Sequence, residues 1–224
     1  MNYVIDHIPR GRKRPDYPLD WQYITIHNTG NPDSNARGER AWLTNKTNTS
    51  TTGYHIAIDS RVAIECIPLT ENAWHAGDGR GGPGNRESIG IEICESGDFD
   101  KTMKHAVELV VHLLRSKDKG VECLAQHHGW SGKNCPRLIR AGQDHWTWER
   151  FLEEVGKGLS TMSKHFKDLP AKHWAAGEAE YLNGLGMLNP NKAGNVRPND
   201  NITRIEVIAL LGRAVRFLSS KKGA

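Results

Sequence analysis

Four short segments dense in β-branched and aromatic side chains constrain this chain most: Tyr23 to Ile26, Tyr54 to Ile58, Val62 to Ile67 and Ile89 to Ile93. Segments of that length and make-up read as strands, and together they predict one common sheet. Turn residues at Asn31 and Pro32 and the glycine-rich stretch from Gly77 to Gly84 fall between them. Such backbone belongs in loops that can shape a groove. Beyond the last strand, Met103, Ala106, Val107, Val110 and Leu114 recur at three-four spacing. That spacing predicts a helix capped by Asp100, with an apolar face laid on the sheet. Trp148, Phe151, Leu152 and Val155 repeat the pattern, and Gly156 and Gly158 mark its expected end.

A length of 224 residues suits two unequal domains, with the boundary expected between residues 1–158 and 159–224. In the second, Phe166, Trp174, Tyr181 and Leu182 are followed by a turn-rich segment through Pro198. Thr203 and Glu206 have capping-box spacing and predict a helix start, while Ile205, Ile208, Leu211, Val215 and Leu218 would form its buried stripe. The small unit therefore reads as two helices joined by a loop.

With 37% hydrophobic and 25% charged residues, the chain can bury a core and lacks the composition of disorder. No run approaches the ~18 apolar residues of a membrane span, and Met1 to Asp20 lacks an apolar signal-peptide core. A soluble protein made in the cytoplasm is expected. Arg10, Arg12, Lys13 and Arg14 read as a solvated loop, and no nucleic-acid motif accompanies them. The net charge of +4 identifies no partner. Cys66, Cys94, Cys123 and Cys135 show no C-x-x-C pairing, so neither a disulfide framework nor a zinc finger is suggested.

His27 closes the strand Ile24-Thr25-Ile26-His27, which puts an imidazole at a sheet rim. His127 and Cys135 lie eight positions apart in a glycine-bearing run that could fold both toward one point. Two imidazoles and a thiolate suit a tetrahedral zinc site with its fourth position left for water. Spacing alone leaves open the alternative of ordinary surface or core histidines and a buried cysteine.

Five stretches in order, ITIHNTG at 24–30, GYHIAID at 53–59, NAWHAGDG at 72–79, GPGNRESIGIEIC at 82–94 and HHGWSGKNCP at 127–136, resemble the N-acetylmuramoyl-L-alanine amidases related to phage endolysins. The resemblance covers about residues 20–155. It implies an α/β fold with a central mixed β-sheet flanked by helices and Zn2+ at the floor of an open groove. It also implies hydrolysis of the amide bond between N-acetylmuramic acid and L-alanine in bacterial peptidoglycan. His27, His127 and Cys135 occupy the ligand positions; His127 is preferred over His128 because the spacing to Trp130 and Cys135 matches only from His127.

On the same resemblance Glu92 is the general base. Alternation points it to one face with Gly90 and Cys94, and an ion-paired structural glutamate is the alternative. Lys133 is carried over as the oxyanion-stabilising cation and Tyr54 as an assisting tyrosine; an exposed lysine and a packed tyrosine are the plainer readings. Trp74, His75, Asn85 and Arg86 are expected on the substrate-binding wall, while Cys66, Cys94 and Cys123 are expected to be buried and inert.

Phe166, Asp168, His173, Trp174, Ala175, Tyr181, Leu182, Gly186, Arg197, Pro198 and Ile202 to Glu206 resemble one S-layer homology repeat spanning about 166–218. Such modules attach proteins to secondary cell-wall polysaccharide, and Trp174 and Arg204 would be the contacts. A recognition module that binds muropeptide without cutting it is the competing reading; Cys135 with Glu92 and Lys133 favours catalysis. The expected protein is a monomer that binds neither nucleic acid nor membrane. The missing signal peptide favours a phage or prophage enzyme, reaching the wall through holes made by another protein, over a host autolysin.

Overall fold

The computed structural model describes residues 2–160, 169, 176–185, 187–190, 192, 196 and 204–221, with side chains in the final helix only from 207 to 215. Six strands, β1 (Tyr3–Ile5), β2 (Tyr23–Asn28), β3 (Ile56–Ile58), β4 (Ala63–Glu65), β5 (Ser88–Ile93) and β6 (Leu124–Gln126), form one mixed sheet in the order β1-β4-β3-β5-β2-β6. Only β3 and β4 pair antiparallel; every other neighbouring pair is parallel. Eight α-helices are described: α1 (Ala36–Thr44), α2 (Pro83–Arg86), α3 (Phe99–Ser116), α4 (His127–Ser131), α5 (Arg137–Arg140), α6 (Trp148–Ser160), α7 (Ala176–Gly184) and α8 (Arg204–Lys221).

The period of two along β2 and β5 divides the sheet into unlike faces. Ile24, Ile26, Ile56, Ile58, Ile89, Ile91 and Ile93 share one face and are completely buried. Met103, Ala106 and Val110 of α3 and Phe151 and Val155 of α6, all fully buried, supply apolar surface of the kind such a sheet needs for cover. The opposite face carries Thr25 and His27 from β2 and Ser88, Gly90 and Glu92 from β5. Beside it, Ala36 and Leu43 of α1 join Tyr54, Ala57, Ile64 and Cys66 in a second buried cluster.

Several expected boundaries shift for local reasons. The third strand begins at Ile56, because Cys66 and Ile67 both donate to the His55 carbonyl and so make a bulge there. Helix α3 is held at its start by Asp98, whose carboxylate accepts from Lys101 N at 2.9 Å; Asp100 lies inside the first turn. Helix α6 continues through Gly156 and Gly158 to Ser160. A Cβ on Gly158 would sit 2.6 Å from Val111 Cγ2, so this glycine permits close packing and does not end the helix.

The basic run is solvated only in part: Arg10 and Arg12 are exposed as expected, whereas Lys13 and Arg14 turn inward. Lys13 is buried and its Nζ donates to the carbonyls of Asn48 and Ser50 at 2.9 and 2.7 Å. Arg14 forms a two-pronged pair with Glu71, both bonds 2.7 Å. These cations enter the interior because each finds acceptors there. Cys66 and Cys94 are buried as expected, whereas Cys123 is only partly so.

The chain divides into two compact units, one of residues 1–111 and 120–158 and the other of residues 112–119 and 159–224. In the second, Leu169, Ala176 and Ala179 form a small core with Leu188 and Val196 packed against it. The expected buried stripe of α8 is not buried: Ile208, Leu211 and Val215 are 63%, 60% and 61% exposed. Apolar periodicity marks a face suited to burial, but it does not specify what covers that face. Ile205 and Leu218, with the expected cap Thr203 and Glu206, lie outside the described side chains. Among the described residues no helix is long and apolar enough to cross a membrane.

The Arg14–Glu71 pair holds the Glu71 carboxyl below its ordinary value of 4.5. The stabilisation it contributes is therefore present above pH 4.5 and lost as pH falls through the depressed value. Glu71→Gln should cost about 2 kcal/mol at neutral pH, and denaturation midpoints of wild type and variant should converge on acidification.

Candidate metal centre and active site

Parallel registry sets His27 directly beside Glu92 across β2 and β5, so an imidazole and a carboxylate emerge together from the polar face of the sheet. The third and fourth components arrive from the next crossover. Strand β6 pairs with β2 and runs straight into α4, whose first residue is His127. Gly132, at φ 74°, turns the chain back after α4, a conformation that favours glycine. The His128 amide then donates to the Cys135 carbonyl at 2.8 Å, drawing Cys135 beside His127.

The result is a cluster in which one nitrogen of His27, one of His127 and the Cys135 sulfur all lie within 4.8 Å of one another. His27 Nδ1 is 3.0 Å from His127 Nδ1 and 3.8 Å from Cys135 Sγ. All three side chains are buried, while the adjacent His128 is exposed. Burial lowers the His127 pKa to about 4 and holds His27 well below the usual histidine range, so both rings are neutral. Burial also pushes the Cys135 thiol up to about 11, which makes a thiolate dependent on a cation beside it. Neutral imidazoles and a sulfur in contact are a donor set suited to zinc.

Glu92 Oε1 lies 4.0 Å from His27 Nδ1, and the side chain is 13% exposed. Its Oε2 is buried without a hydrogen-bond partner among the described residues, an arrangement rare for a purely structural carboxylate. Burial, with Glu39 and Glu95 nearby, raises its pKa to about 8, and Lys133 opposes that rise. Lys133 is exposed on the groove, and its charge also reaches His27, His127 and Cys135. The groove is about 1020 Å³ and is bordered by Arg12, Trp42, Tyr54, Trp74, Arg80 and Ser131.

Comparison with known proteins agrees with this geometry. Residues 17–138 match the N-acetylmuramoyl-L-alanine amidase family model, and residues 165–208 match the S-layer homology domain model. The chain belongs to the N-acetylmuramoyl-L-alanine amidase family. The N-acetylmuramoyl-L-alanine amidase XlyB of Bacillus subtilis is 40% identical over 144 residues, covering 62% of this chain and 43% of XlyB. CwlA of the same organism, also an N-acetylmuramoyl-L-alanine amidase, is 42% identical over 133 residues, covering 58% of this chain and 47% of CwlA. The chain thus spans about half the length of these curated relatives. The solved catalytic domain of XlyA superposes with a TM-score of 0.64 at 39% identity, covering 70% of this chain and all of that domain.

Within the amidase domain, the outer residues singled out by sequence take varied positions. Trp74 lines the groove and meets the Tyr17 ring edge-on at 6.2 Å. Arg86 is absent from the groove lining; its guanidinium stacks 5.1 Å from the Tyr17 ring instead. Asn85 is buried, and its Oδ1 accepts from the amides of His75 and Ala76 at 2.8 and 2.9 Å while its Nδ2 donates to the Gly79 carbonyl. It lines the groove and clamps the 75–79 loop from within. His75 is likewise buried, behind His27. Tyr54 is buried at the groove edge and donates to the Glu39 carboxylate at 2.7 Å. Trp174 lies outside the described residues, and of Arg204 only the backbone is described, as the first residue of α8.

Sequence reasoning missed Glu39, the partner of Tyr54, and His55, which packs edge-on against His75 at 5.7 Å between ring centres. His55 sits in the same GYHIAID stretch, and its place in a half-apolar strand was the available signal. Replacing Asn85 with alanine would leave two buried amides unsatisfied, each costing about 1–3 kcal/mol. A lowered denaturation midpoint and faster hydrogen exchange at His75 and Ala76 are the expected results.

Proposed function

We propose that this protein is a zinc-dependent peptidoglycan hydrolase of the endolysin type that cleaves the amide between N-acetylmuramic acid and L-alanine. The observation that carries the reading is the convergence of two neutral imidazole nitrogens and one sulfur within 4.8 Å, beside a buried carboxylate oxygen that has no described partner. His27, His127 and Cys135 would hold the ion. Zinc in such a site supplies Lewis acidity, which polarises a carbonyl and makes water a stronger acid near neutral pH.

The chain's own groups do the rest. Glu92, whose raised carboxyl a cation held by the neighbouring ligands would draw back down, takes the proton of the attacking water on a carboxylate oxygen as the lactyl carbonyl carbon gains its new C–O bond. The Lys133 ammonium faces the oxygen on which negative charge develops. As the C–N bond breaks, Glu92 returns the proton to the departing amino group of L-alanine, leaving a free lactyl carboxyl. Tyr54 has its hydroxyl proton committed to Glu39, so we assign it to shaping the groove. Trp74 is the aromatic surface we assign to substrate.

The amidase domain is placed at residues 1–158 and the wall-binding module at 159–224, a division supported by the family matches and by the compact units, although residues 112–119 group with the second unit. The S-layer homology match supports anchoring to secondary cell-wall polysaccharide, and the protein would act at the bacterial wall as a monomer.

Glu92→Gln should lower release of new amino termini from purified walls by about 10²–10⁴-fold while zinc content by atomic absorption stays near that of wild type. Full activity in this variant sinks the assignment. The anchoring role predicts that the full chain pellets with amidase-resistant walls more completely than residues 1–158; equal pelleting removes it.

A further inference from the structure

Four imidazoles crowd beneath the groove, and two of them, His75 and His55, are not among the candidate ligands. Their hydrogen bonds fix the protons of their neighbours. His75 Nε2 lies 3.2 Å from the Ser88 carbonyl oxygen. A carbonyl can only accept, so that nitrogen carries the single proton of the neutral ring and Nδ1 is left as an acceptor. Nδ1 in turn lies 3.1 Å from His27 Nε2. His27 must therefore donate through Nε2, and its own Nδ1 is bare.

That bare nitrogen faces His127 Nδ1 at 3.0 Å. His127 Nε2 points the other way, toward the 75–79 loop, 3.3 Å from where a Cβ of Gly77 would stand. Cys135 Sγ stands 3.8 Å from His27 Nδ1, so the lone pair of His27 opens onto both of the other candidate donors.

The fold is built to keep the His75 ring in place. A Cβ on Gly90 would come 2.7 Å from His75 Cγ, so only glycine at that strand position admits the imidazole. His55 accepts from the Gly90 amide at 2.9 Å, donates to the Glu71 carbonyl at 2.8 Å and packs edge-on against His75. Asn85 fixes the His75 backbone from the other side.

Resting on the zinc-amidase reading, we propose that His75 is a positioning residue: anchored on the Ser88 carbonyl, it holds His27 in the Nε2–H tautomer and so presents a bare Nδ1 to the metal. A partner on the far nitrogen of a metal-bound histidine sets ring orientation and basicity, and its loss typically costs 10–100-fold in metal affinity. The residue acts through His27, since both of its own ring nitrogens are engaged within the fold.

The test uses the full chain. With ¹⁵N-labelled histidine and zinc removed by chelation, long-range proton–nitrogen spectra should show the His27 proton on Nε2; a proton on Nδ1 overturns the proposal without any variant being made. Chelator competition then measures zinc affinity. His75→Phe keeps a ring but offers no acceptor, and it should weaken zinc binding about 10–100-fold. His75→Asn, whose amide oxygen can stand near the lost Nδ1, should recover much of that loss. Undiminished affinity in His75→Phe, or no recovery in a folded His75→Asn, overturns the proposal. Cys135→Ser run alongside separates the two claims: if it too leaves zinc binding unchanged, the zinc reading fails at its ligands.

Discussion

The site depends first on strand registry. Because β2 and β5 run parallel with His27 opposite Glu92, the candidate ligand and the candidate base rise from neighbouring positions of one rigid surface. Isoleucines at the intervening positions bury the other face completely. A slip of one residue would send both polar groups into that apolar layer, where neither would find a partner. The hydrophobic core and the reactive geometry are thus enforced by the same alternation.

Around that surface, long-range polar contacts do what local structure cannot. The 75–79 loop backs both candidate imidazole ligands, with the His75 ring behind His27 and Gly77 close against His127. Asn85 ties down the loop, and Asn28 performs a similar service for the segment after Cys135, accepting from the Leu138 amide at 3.0 Å. Desolvation keeps the rings neutral and raises the Glu92 carboxyl. A low-polarity floor of this kind strengthens any charge that develops above it.

The sheet's central strands were legible because their alternation is long and strong, and the ligand triad was legible through motif order. Strands β1 and β6 were not: each is three residues long, and β6 reads Leu124-Ala125-Gln126 with little β propensity. Helix α1, with Arg37, Glu39 and Arg40 in nine residues, has too few apolar positions to show a period. His75 and Asn85 line the groove, and both also make inward hydrogen bonds that the sequence does not announce. Direction depends on partners distant in sequence, such as Ser88 for His75, and no local pattern carries it. The α8 stripe failed for the opposite reason, since its period is clear but its cover is not supplied by the pattern.

The cluster draws on positions 27, 127 and 135, so more than a hundred residues separate its first member from its last. During synthesis the centre has no existence until the final turn after α4 has left the ribosome and the sheet has closed around it. Products of translation that stop before Cys135 lack the full cluster, and a single proteolytic cut between β2 and α4 followed by separation of the pieces would part its members without touching any of them.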